Sequence, residues 1–144
     1  MNGENNTVIS WLLGGEPWVR LGALQHLLKR SADDSEVITA RKELLEHPFI
    51  TGLIIELQGW PGLTISSHKS AGQLFHKLAF AAELGLRQYD PGMTEVIAAV
   101  MMHSDVDGPF QLRSIVPEHF GGTGEETWSW ALCDAPLVLY ALSR

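Results

Sequence analysis

Cys133 and Asp134 stand side by side in "WSWALCDAP", and His119 precedes them by a short stretch of chain. Zinc takes three or four Cys, His or carboxylate ligands in a tetrahedron, so His119, Cys133 and Asp134 would supply the minimum. The same residues have a plainer reading, which their order favours. Cys133 is then a small buried hydrophobe and Asp134 the cap of a helix that Pro136 starts, its carboxylate accepting a freed N–H. The sequence demands no cofactor, and zinc is the metal this set would suit.

The other histidines offer acid–base chemistry. His68 and His76 flank Ser70, and His76 shares the less apolar face of its segment with Glu83 and Arg87. An imidazole near carboxylates at a cavity rim can act as general base, which makes His76 and Asp134 the candidate catalytic groups. A solvated helix face accounts for His76, Glu83 and Arg87 equally well. His103 lies with Asp105 and Asp107 at a predicted helix end, where an imidazolium complements the helix dipole. "DVDG" lacks the ligand spacing of a calcium loop and reads as a turn. No P-loop, dinucleotide fingerprint, nucleophile elbow or HExxH motif occurs, so the common enzyme classes find no direct support.

Five tryptophans in 144 residues is a high number. Trp11 and Trp18 lie in the first helical stretches, while Trp60, Phe110, Trp128 and Trp130 flank predicted loops. Aromatic side chains gathered at one rim could line a pocket for an apolar ligand. The candidate ligand-binding set is therefore Trp60, His68, His76, Phe110, Trp128 and Trp130, with core packing as the competing explanation for the aromatics.

Helical periodicity supplies the elements that must position these groups. Pro17 opens a segment in which Trp18, Leu21, Leu24 and Leu28 share a stripe. Asp33 and Glu36 have capping-box spacing before Val37, Arg41, Leu44 and Leu45, a second helix expected to pair back on the first. Pro48 opens a third, with Phe49, Ile50, Leu53, Ile54 and Leu57 as core positions and Gly59 and Pro61 as its stop. Ser70 with Gln73 is a second capping box, ahead of Leu74, Phe75, Leu78, Ala79, Ala82 and Leu86. Asp90 and Pro91 are expected to cap a fifth helix through Val96, Ile97, Val100 and Met101. A final helix is expected to carry Trp128, Leu132, Ala135, Leu139 and Leu142 on one face. The expected class is all-α, built from consecutive antiparallel helical hairpins, with a short additional helix near Val8 to Leu13.

Composition narrows the function classes. With 45% hydrophobic and 19% charged residues, the chain is globular in character, and one domain over residues 1–144 is the expectation for its length. Ten basic against seventeen acidic side chains give a net charge of −7, which argues against nucleic acid as a partner. A single cysteine forms no internal disulfide, and the first residues have neither the basic start nor the apolar run of a secretion signal, so a cytoplasmic location is expected. No long uncharged apolar run occurs, since Asp134 and Pro136 break the best one, and no membrane span is expected.

Helices alternating with Gly turns in "QGWPGLT" and "SDVDGPF", "HSDVDGPF" at a helix end, and the aromatic entry "WSWALCDAP" together resemble the α/α-toroid superfamily of terpenoid cyclases and protein prenyltransferases. The likeness is nearest to its uncharacterised bacterial prenyltransferase-like members. Gln58 with Gly62, and Gly108 with Phe110, match parts of the family's helix-end motif. Ser104 stands where its glutamine belongs, and Thr64 where its aromatic belongs. The acid motif of the cyclases has no counterpart. The prenyltransferase zinc triad, in which a cysteine follows the aspartate by two residues and a histidine lies downstream, is not matched by Cys133 and Asp134. The resemblance implies a partial toroid, an arc, or a piece of a longer toroid.

The function expected from these readings is binding of a partner protein or an apolar small molecule through an aromatic concave face. A metal-assisted enzyme of the same lineage is the alternative. A third reading is a HEAT-like scaffold, from "EPWVRLGALQHLL". A terminal helix apolar on more than one face points to a homodimer.

Overall fold

In the computed structural model, the described residues are 2–65, 69–104, 106 and 108–144, with side chains described from Thr7 onward. His68, Asp105 and Asp107 lie outside this set. The chain divides into two compact units, Met1–Gly52 and Leu53–Arg144, and the boundary falls inside one helix.

In the first unit, α1 (Asn2–Leu13) packs on α2 (Pro17–Gly22), which continues as a π-helical turn over Ala23–Leu27. Pro17 sits in the first turn of α2, where its missing N–H costs nothing. The Leu28 N–H reaches back five residues to the Ala23 carbonyl, which closes the wide turn. α3 (Ser35–Glu46) pairs back on α2 as its pattern predicts, burying Val37, Ala40 and Leu44. The capping residue differs by one from the expectation. Asp34, not Asp33, accepts the Glu36 N–H at 2.9 Å. Arg20 and Glu43 link the two helices by an ion pair. His47 caps α4 (Pro48–Leu57) by accepting the Phe49 N–H on Nδ1 at 3.2 Å, and Trp18 meets the edge of the same imidazole.

The second unit overturns the all-α expectation. It holds helices α5 (Leu74–Glu83), α6 (Met93–Met101) and α7 (Ala135–Leu142), and an antiparallel hairpin of β1 (Leu112–Ile115) with β2 (Glu126–Ser129). Ile115, Thr127 and Trp128 are the residues of "LRSI" and "ETWS" that favour strands, and the segment between them carries Pro117, Gly121, Gly122 and Gly124. A helix-period reading through Trp128 overlooked this turn chemistry. Gly122 admits no side chain, since a Cβ there would lie 1.9 Å from the Val116 carbonyl oxygen. The Ile65 backbone adds a parallel bridge to Ser114, donating to the Arg113 carbonyl at 2.8 Å.

Nor are the helices consecutive hairpins here. α5 packs against α7, which follows it only after α6 and the hairpin. This departs from the expected arc of consecutive antiparallel hairpins. α7 also turns a different face inward from the one expected: Ala135, Val138 and Ala141 are buried, while Leu139 is 60% and Leu132 83% exposed. Every residue from Leu137 to Leu142 is apolar, so periodicity could not choose the face, and the contact with α5 does. Ser70 does not cap α5, whose N-cap is Gln73, and α6 starts after Gly92. None of the helices described is long and apolar enough to cross a membrane.

Candidate functional site

The sequence candidates fall into two groups. Around the hairpin, several converge. Trp60 is 9% exposed, and the turn after it is tied to β1 by Arg113, whose Nη2 donates to the Gly62 carbonyl at 2.7 Å. The loop ending at Phe110 is closed by a bridge from Ser104 to Phe110 and by the Gln111 N–H donating to the His103 carbonyl at 2.9 Å. The His103 ring then lies on Trp128, so one indole face is already occupied. The antiparallel register puts Arg113 opposite Trp128, and Arg113 pairs diagonally with Glu126 at 3.6 Å on the same face. On the other face Ser114 and Ser129 hydrogen-bond through their hydroxyls. Of the four aromatics, Trp128 holds the end of α6 to the hairpin through His103, and Trp130, just past β2, is the most exposed.

The remaining candidates are spread out. His119 is exposed in a 3-10 turn (Glu118–Phe120) at the hairpin tip, packed against Phe120. Cys133 lies beyond the far end of β2, so a four-residue strand of about 13 Å separates the tip from the thiol segment. His119, Cys133 and Asp134 do not assemble, and no group of three His, Cys, Asp or Glu suited to a metal ion occurs among the described residues. Cys133 is exposed rather than buried. Its thiol is nonetheless pushed above the ordinary value, first by local desolvation and then by the neighbouring Asp134 carboxylate, to which it hydrogen-bonds. Asp134 itself is buried and precedes α7, but its side chain makes no cap hydrogen bond. Its carbonyl accepts the N–H groups of Leu137 and Val138 instead. His76 is half-buried on α5 beside Phe75.

A cavity of about 380 Å³ in the second unit was not foreseen from the sequence. α5 contributes Leu78 and Ala82 to it, the following loop Leu86, α6 Met93 and Ile97, and α7 Ala141 and Leu142. Its rim carries Arg87, Gln88, Tyr89, Ser143 and Arg144, and the Arg144 guanidinium lies 5.8 Å from the centre of the Tyr140 ring. Buried Asp90 shapes the rim loop by accepting the Arg87 N–H at 2.7 Å. The volume is at the small end of the range for ligand sites, which suits a compact molecule. None of the lining side chains described is an imidazole, carboxylate or thiol, and the helices give the cavity an apolar floor beneath a polar rim. The signal in the sequence was partial, since Leu78, Ala82, Leu86 and Ile97 already read as inward-facing.

A second cleft, of about 410 Å³, lies between the end of α4 and the start of α5. Its walls include Gly59, Gly62, Gly72 and Glu56, whose carboxylate forms an ion pair with Lys77.

No family model, curated protein or solved structure matches this chain. The toroid likeness therefore rests on its quoted residues alone.

Proposed function

We propose that residues 53–144 form a binding unit that takes a compact apolar small molecule in the cavity between α5, α6 and α7. One observation carries this reading: three helices, the last separated from the first two by the β-hairpin, contribute only apolar side chains to a common floor. Burying a ligand's apolar surface there would contribute about 25 cal/mol per Å². The test is displacement of the neutral fluorophore N-phenyl-1-naphthylamine by 1-octanol. The wild-type chain should bind both, and Ile97→Trp, which fills the cavity, should bind neither while keeping its unfolding midpoint near that of the wild type. Equal binding by a folded Ile97→Trp would remove this reading.

A second reading, pairing of two copies, is favoured by the outward apolar side chains Trp130, Leu132 and Leu139. Light scattering at micromolar concentration should then give a dimer mass, reduced to the monomer mass by Leu139→Lys. A monomer mass for the unmodified chain would dismiss it.

A further inference from the structure

We propose that the ligand of the α5–α6–α7 cavity is an amphipathic carboxylic acid, its apolar body on the cavity floor and its carboxylate held by Arg87 and Arg144 at the rim. This rests on the cavity reading above and goes beyond it by naming the head group. The chain has seventeen acidic and only ten basic side chains, so a cavity chosen without regard to charge would be bordered mostly by acids. Here the reverse holds, since two arginines and no Asp or Glu line the described cavity. A guanidinium is a fixed planar fork that stays charged at all working pH values and matches the two oxygens of a carboxylate. Both guanidinium-bearing residues are exposed, so neither cation has lost its hydration before a ligand arrives. The rim also offers neutral hydrogen-bonding groups, the Tyr89 hydroxyl and the Gln88 amide, which can complete the solvation of a carboxylate. The buried acid Asp90 accepts the Arg87 backbone N–H and is not among the lining residues. The floor accepts the tail for the reason already given, so head and tail have separate, chemically matched positions.

The experiment compares octanoate with 1-octanol, which share a chain length and differ in head-group charge, in displacing N-phenyl-1-naphthylamine. Octanoate should bind about tenfold more tightly than octanol, the scale of a charge-assisted hydrogen bond. That advantage should shrink at high salt. In Arg87→Gln with Arg144→Gln, the ratio of the two affinities should fall to about one, and circular dichroism should show unchanged helix content. Octanol binding as well as or better than octanoate, or a preserved ratio in the double variant, would overturn the head-group assignment while leaving the cavity in place. Failure of both compounds and of the fluorophore would overturn the cavity itself.

Discussion

The imidazole of His103 lies flat on the indole of Trp128, with centroids 3.4 Å apart and planes 8° from parallel. His103 follows the last turn of α6 and Trp128 is on β2, so the stack fastens the end of a helix to a strand 25 residues further along the chain. The closed loop up to Phe110 begins at the same histidine.

If the stack contributes as other aromatic pairs do, its coupling energy is about 1 kcal/mol beyond the area each ring buries. A double-mutant cycle of His103→Ala and Trp128→Ala, measured by urea unfolding, should show that coupling. Strictly additive single substitutions would mean the rings touch without stabilising each other.

Val138 is fully buried and its neighbour Leu139 is 60% exposed. Val138→Ala should therefore destabilise the second unit by about 2 kcal/mol, through lost burial and a residual cavity. Leu139→Ala should change stability by less than about 0.5 kcal/mol. Unfolding midpoints in the reverse order would show that α7 is rotated from the register described.

Gly92 precedes α6 with φ at +84°, and a Cβ there would stand 2.7 Å from Ile54 Cγ2. Gly92→Ala combines left-handed backbone strain with overpacking and should cost about 2–3 kcal/mol. Gly22, in ordinary helical conformation with nothing within 4 Å of its Cβ position, is the control. Gly22→Ala should stabilise by about 0.5–1 kcal/mol. Thermal unfolding of the two variants separates backbone strain from a general sensitivity to added methyl groups.

The Cys133 thiol is exposed yet held in its protonated form by desolvation and by Asp134. Only the thiolate attacks iodoacetamide, so the native chain at pH 8 should alkylate more slowly than the unfolded chain, and its rate should rise at a higher pH. Asp134→Asn removes the charge that opposes ionisation and should shift the rate profile to lower pH. An unshifted profile in that variant would show that Asp134 has no hold on the thiol.

The first unit was largely legible in the sequence because its determinants are local. Pro17 and Pro48 open helices where their missing N–H groups cost nothing, and Leu21 with Leu24, or Val37 with Leu44, repeat at helical spacing. Even there, Asp33 and Asp34 are adjacent and chemically alike, and the choice between them needed the chain's path.

The sequence by itself determined that residues such as Leu78, Leu86 and Val96 face inward, since they recur at helical spacing with other apolar residues. It also determined that the chain lacks a sustained apolar run. Tertiary structure alone decided the rest. The face of α7 could not be read where six successive residues are apolar, and it was set by packing on α5. The hairpin needed a strand partner for "LRSI" 11 residues after it ends, and a strand is stable only when its backbone groups are paired. The cavity combines residues from Leu78 to Arg144 that no single periodicity links, because a pocket is a property of the space between elements and not of any one of them.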